Sequence, residues 1–159
     1  MLGKMNRFMS DLPGIWFVLL IVIWTFLIAM PLDWFLPEVQ KNPLMQGPII
    51  LQFLVGIIFA PIFETLVFQV LLFWILSYIP FIRNHDYLII LIASIIFGLN
   101  HQFGITYIIG TSLIGLLYNY AYWVYQKKNE KVKSTISAFW IVFWIHLLHN
   151  AISITVSNL

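Results

Sequence analysis

Four residues combine a chemistry-bearing side chain with an apolar setting: Glu64, His101, His146 and Asn150. Glu64 lies in Ala60-Pro61-Ile62-Phe63-Glu64-Thr65-Leu66-Val67-Phe68-Gln69, inside a long apolar run. Burying a charged side chain at the centre of a bilayer costs about 2.5–3.5 kcal/mol on insertion scales. A carboxyl kept at that cost is either a protonated hydrogen-bond partner for a neighbouring helix or a general base. His101 closes Phe97-Gly98-Leu99-Asn100-His101, one helical turn after Phe97, so the two share a face. Alone, it reads as a histidine capping a helix end. The last apolar stretch holds His146-Leu147-Leu148-His149-Asn150. His146 and Asn150, four apart, stack on one face, and the helical period turns His149 about 60° away. Such a pair either hydrogen-bonds across helices, worth about 0.6 kcal/mol, or serves one polar target. A carboxylate, two imidazoles and an amide converging in a dry cavity can activate a water and stabilise an oxyanion, which suits amide hydrolysis. His85, between Asn84 and Asp86 in a polar connection, carries no such signal.

The elements that must position these groups follow from composition. The chain has 159 residues, 62% hydrophobic and 9% charged, with a mean hydropathy of +0.95. A soluble domain is about 45–50% apolar and about 25% charged, so the chain reads as a membrane protein. Its charged residues, Glu64 apart, fall in the N-terminal stub or in short interruptions between apolar stretches. The absence of cysteine excludes disulfides, thiolate zinc sites and a cysteine nucleophile. A net charge of +2 on dispersed lysines argues against a nucleic-acid partner. No serine sits in a nucleophile-like setting beside a histidine, and there is no His-Glu-x-x-His zinc motif.

Five apolar stretches stand out, at 14–31, 48–79, 87–101, 105–126 and 135–157. They predict an all-α fold, a polytopic transmembrane helix bundle of about five spans. Residues 1–13 form a cytoplasmic stub, and 14–159 a single transmembrane domain. The run from Gly14 to Met30 is longer than the ~7–15 residue core of a signal peptide and has no small-residue cleavage site, so it reads as a first anchor. The second stretch, about 48 Å long at helical rise, must tilt, kink at Pro61 or break there. The third, about 22 Å, is expected to end inside the membrane, with the turn His101-Gln102-Phe103-Gly104 buried against protein. Ser94 with Gly98, and Gly110 with Gly115, are small residues at helix-packing spacings. Lys4, Arg7, Arg83, Lys127, Lys128, Lys131 and Lys133 on one side against Lys41 on the other place the N-terminus inside and the C-terminus outside. The expectation is a multi-pass protein of the cell membrane, with the lipid bilayer as its solvent.

Three segments together resemble the CPBP family, the CAAX-protease and bacteriocin-processing membrane proteins that include the Ras-converting CAAX endopeptidase. The family's first motif, Glu-Glu-x-x-x-Arg, often after Ala-Pro-Ile, is matched by Ala60-Pro61-Ile62 leading into Glu64. Its second, Phe-x-x-x-His, is matched by Phe97 and His101, and its third, His-x-x-x-Asn, by His146 and Asn150. Order and spacing agree over about residues 55–155. The resemblance implies that Glu64 is the general base, that His101 helps bind and polarise the water, and that His146 and Asn150 form the oxyanion hole. It implies no certain cofactor, although Glu64, His101 and His146 are a donor set able in principle to hold zinc. The chain departs from the motif at two supporting positions, with Thr65 for the second Glu and Gln69 for the Arg. Losing both together is coherent, because either one alone would be an unpaired charge in the membrane.

The reading is therefore an intramembrane endopeptidase acting on a membrane-associated peptide or protein, with a role in bacteriocin self-immunity or peptide processing. Its rival is a non-catalytic immunity protein that sequesters a bacteriocin or its receptor. A proton or ion carrier built on Glu64 is the weaker third, since conduction paths carry more than one acid across the span.

Overall fold

The computed structural model describes residues 2–40, 42–132 and 137–159. Lys41 and Lys133, both used in the charge count, and the start of the 135–157 stretch lie outside the described residues. Among the described residues there are six helices and no strand. They are α1 (Leu2–Asp11), α2 (Gly14–Ala29), α3 (Ile49–Ser77), α4 (Asp86–Leu99), α5 (Ile105–Val132) and α6 (Ala138–Ser157). Short 3-10 turns at Met30–Trp34 and Pro43–Gln46 lie between α2 and α3.

The all-α bundle is as the apolar stretches predict, with fewer clear spans. Among the described residues, three helical segments are long and apolar enough to cross a membrane: Gly14–Leu32, Ile49–Ser77 and Ala138–Ser157. Helix α4 has 14 residues, about 21 Å at helical rise, and is too short to cross unaided. Helix α5 is long enough, but Thr106, Thr111, Ser112 and Asn119 dilute its apolar character. The segment expected to be a stub is helical and docked. Asn6 ties α1 to the bundle by donating from Nδ2 to Tyr87 Oη (2.6 Å) and accepting from Tyr120 Oη (2.8 Å).

The core lies where α2, α4, α5 and α6 meet, around Phe17, Ile21, Ala93, Phe97, Tyr118 and Ile145. Large apolar side chains such as Trp16, Phe63, Trp74 and Trp144 face outward, as a lipid-exposed surface requires. Two of the four small residues picked out by spacing sit at tight helix crossings. A Cβ on Gly98 would lie 2.7 Å from Ile108 O of α5, and one on Gly115 would lie 2.8 Å from Phe97 Cδ1. Gly110 meets only Leu32 Cδ1, at an ordinary 3.4 Å.

Helix α3 runs unbroken through Pro61. It accommodates the proline by widening, with π-helical turns over Gln52–Phe59 and Thr65–Leu71 on either side of an α-helical turn at Ala60–Glu64. A proline ring collides with the carbonyl four residues back and supplies no N–H. Turns of i→i+5 register give the ring room. The bond from Ala60 N–H to Val55 O has that register, as does the one from Leu72 N–H to Val67 O.

The connection from α4 to α5 is half-buried, with Gln102 exposed, where full burial was expected. It is covered by the segment before α3: Gln40 N–H donates to Phe103 O at 3.0 Å, and Thr106 Oγ1 donates to Pro37 O. Gly104 sits there at φ +98°, in the left-handed region that glycine occupies without steric cost.

Candidate active site

Four helices bring their polar residues to one cavity of about 920 Å³. Glu64 reaches it from the turn that follows Pro61 in α3. His101 hangs just past the last turn of α4. His146, His149 and Asn150 come from successive turns of α6, and Tyr107 and Tyr118 from α5. The segment before α3 adds Val39, Gln40, Asn42, Leu44, Met45 and Gln46 to the lining.

The centre is the Glu64 carboxylate. Its Oε2 lies 3.6 Å from His101 Nε2 and 3.6 Å from His146 Nε2, and it is buried with no hydrogen-bond partner among the described residues. Those separations lie within ion-pair range but beyond a direct hydrogen bond. A small polar molecule can stand on the triangle of these three atoms and bond to each.

The protonation of the rings follows from their other contacts. His101 Nδ1 lies 2.8 Å from Phe97 O. A carbonyl only accepts, so a hydrogen is on Nδ1, and in the neutral form of the ring Nε2 presents a lone pair toward Glu64. Phe97, whose face-sharing with His101 was read from spacing, therefore acts through its carbonyl, while its ring packs against His101 and Phe68. His146 is buried, and its Nδ1 has no partner. An unbonded lone pair there is cheaper than an unbonded N–H, which favours the proton on Nε2, toward Glu64. His146 is clamped between rings, 4.7 Å from Tyr118 and 6.1 Å from Phe97. Asn150 donates from Nδ2 to Gly56 O at 2.8 Å, which uses one of its two amide hydrogens.

Thr65 and Gln69 face away from the cavity and are fully buried. Gln69 Nε2 lies 3.5 Å from Asn119 Oδ1; Asn119 Nδ2 donates to Ser94 Oγ at 3.1 Å, and Ser94 Oγ donates to Ile90 O at 2.6 Å. The result is a neutral polar ladder through α3, α5 and α4.

The donor set does not fit zinc. His146 Nδ1 lacks the outer hydrogen bond that orients a ligating imidazole. Among the described residues no three His, Cys, Asp or Glu side chains are arranged to hold a metal ion.

Several residues of the site were not read from the sequence. His149 was set aside for pointing about 60° from His146, yet the cavity is wide enough to take it. Thr25 Oγ1 gives its one hydrogen to Val22 O (2.6 Å), so His149 Nδ1, 2.8 Å away, must donate to Thr25. The ring also stacks on Phe26, with centroids 4.6 Å apart. Thr25 is the buried polar residue of the first apolar helix, and that was the available signal. Tyr118 and Asn119 were equally legible as polar groups in the 105–126 stretch, but nothing in their spacing connects them to the other helices.

A family model described as type II CAAX prenyl endopeptidase Rce1-like matches residues 46–152. The chain belongs to this family. The matched segment holds Glu64, His101, His146 and Asn150 and all of α4 and α5. Membership places the chain, at family level, among CAAX-type intramembrane proteases, in keeping with its apolar helices. Neither a curated protein nor a solved structure matches the chain.

Proposed function

We propose that this protein hydrolyses a peptide bond of a membrane-associated peptide or protein, with Glu64 as general base. The observation that supports this most is the single carboxylate oxygen shared by two imidazoles at 3.6 Å inside a cavity. A water on that triangle donates one hydrogen to Glu64 and the other to the bare Nε2 of His101, which leaves the water oxygen's own lone pair free to attack. As the water oxygen attacks the peptide carbonyl carbon, Glu64 takes the proton. His146 Nε2–H and the second amide hydrogen of Asn150 bond the developing oxyanion. When the adduct collapses the C–N bond breaks, and Glu64 passes its proton to the leaving amine. The products are a carboxylic acid and an amine. Loss of one oxyanion donor typically costs about 10²–10³ in kcat. Thr65 and Gln69 support Glu64 from behind as neutral groups.

In the N-inside orientation the segment before α3, whose Asn42 and Gln46 line the cavity, lies on the outer side. That favours a secreted or membrane-bound peptide as substrate, and a role in bacteriocin self-immunity or peptide processing. The test is cleavage of reporter peptides by protein in vesicles, alongside bacteriocin sensitivity of cells. Glu64→Gln and His101→Ala should abolish cleavage and protection at unchanged protein level; full activity in both variants sinks the proposal. Protection that survives both substitutions, without cleavage, marks a binding protein instead. A reporter fused to the C-terminus should be external.

A further inference from the structure

We infer that Asn150 is a positioning residue that replaces the backbone donor Pro61 lacks, and so fixes the turn of α3 that carries Glu64. Three observations meet at one point. The turn before Pro61 has i→i+5 register, with Ala60 N–H bonded to Val55 O. One residue further on, that register assigns Gly56 O to the N–H of residue 61, which as proline has none. Gly56 is buried, and a buried carbonyl without a donor costs about 1–3 kcal/mol. Asn150 Nδ2 donates to this carbonyl at 2.8 Å. The packing there is tight: a Cβ on Gly56 would lie 2.6 Å from Ile154 Cδ1, the tip of an α6 side chain that would have to turn aside. Pro61 removes the donor, and Asn150 supplies one from the neighbouring helix. The bond ties α6, which carries His146, to α3 about two turns before Glu64, and so holds the carboxylate against both imidazoles. This role is separate from donation to an oxyanion, which would use the other amide hydrogen.

The deciding experiment is a double-mutant cycle between Asn150→Ala and Pro61→Ala in the full-length protein. Pro61→Ala restores a backbone N–H to α3, and whichever register the turn then adopts, Gly56 O gains a main-chain donor. Asn150→Ala alone should lower the melting temperature by several degrees. On the Pro61→Ala background the same change should cost less than half as much. A ¹³C label on the Gly56 carbonyl should show its infrared band moving to the frequency of an unbonded carbonyl in Asn150→Ala and returning in the double variant. With a cleavable reporter peptide, the pH profile of kcat should shift in Asn150→Ala and shift back in the double variant. Equal melting losses on both backgrounds, or an unmoved carbonyl band, overturn the inference. If Asn150→Ala does not accumulate, Asn150→Ser, too short to reach the carbonyl, serves in the same cycle. The melting and infrared arms do not depend on hydrolysis, so a protein without peptidase activity would still decide the point.

Discussion

Substituting Gly98 by alanine tests whether the α4–α5 crossing places His101. A Cβ at residue 98 would lie 1.8 Å from Ser112 Oγ, 2.7 Å from Ile108 O and 2.8 Å from Ser112 Cβ. The serine oxygen could rotate away only by giving up its 2.7 Å hydrogen bond to Ile108 O. The Ile108 carbonyl is backbone, so the helices themselves must part, by about 0.3 Å to reach the 3.0 Å limit of real contacts and about 0.7 Å for an ordinary one. A gap of that size forfeits roughly a quarter or more of the dispersion well for each atom pair along the interface. Overpacking of this kind costs about 1–3 kcal/mol, and a backbone clash belongs in the upper half of that range. About 2 kcal/mol lowers the ratio of folded to unfolded protein roughly 30-fold. Because His101 follows Gly98 by three residues, kcat should fall as well.

Reversible unfolding in mixed micelles measures the stability change, with Gly110→Ala as the control. A Cβ at residue 110 meets only Leu32 Cδ1, at 3.4 Å, so that variant should lie within about 0.5 kcal/mol of the parent, or gain slightly from alanine's better helix propensity. Adding Ser112→Gly to Gly98→Ala removes two of the three close contacts and leaves the carbonyl, so the rescue should be partial. If Gly98→Ala proves as stable as Gly110→Ala, or Ser112→Gly restores it in full, α4 and α5 do not cross where described.

Other outcomes follow from the same geometry. Thr25→Val keeps the side-chain shape but leaves His149 Nδ1–H without an acceptor, and should cost about 1–3 kcal/mol by the same unfolding assay; adding His149→Phe should recover most of that loss. Asn119→Leu strands the amide of buried Gln69 and should destabilise by a similar amount. Joining Gln69→Leu to Asn119→Leu should cost less than the two single losses together, a coupling readable from a double-mutant cycle. Gly115→Ala drives a methyl against the Phe97 ring at 2.8 Å and should lower kcat more than it lowers stability, since Phe97 O holds the His101 tautomer.

Glu64 was legible because a charge in an apolar run stands out, and the four-residue spacings tied Phe97 to His101 and His146 to Asn150. Helix placement was legible too, since apolar stretches bounded by charges leave few alternatives in a bilayer. The response of α3 to Pro61 was not. Kink, tilt and break are all compatible with a proline in a long span, and the choice rests on contacts with α6 that local sequence does not encode. The docking of α1 was hidden for a related reason: Asn6 is unremarkable until Tyr87 and Tyr120 meet it in space. His149 was misjudged because a 60° offset removes a residue from a narrow stripe but not from a broad cavity wall.

The two departures from the family motif acquire a physical meaning in the fold. Thr65 and Gln69 are fully buried, on the side of α3 turned away from the cavity. An Arg and a second Glu there would have to be desolvated together, and would hold only as an intact pair. The Gln69–Asn119–Ser94 ladder spans the same three helices without charge, and its last hydrogen bond ends on a backbone carbonyl. A neutral ladder has no ion pair to lose, so single substitutions in it should be milder than breaking a buried pair, which costs about 3–5 kcal/mol. It also leaves Glu64 without a competing carboxylate or cation at the neighbouring positions of α3. In the proposed mechanism the carboxylate then answers to the two imidazoles and the attacking water, as a base acting alone requires. If that is so, Gln69→Met should leave the pH profile of hydrolysis in place while lowering stability. A profile displaced by this neutral exchange would mean that Gln69 acts on Glu64 directly.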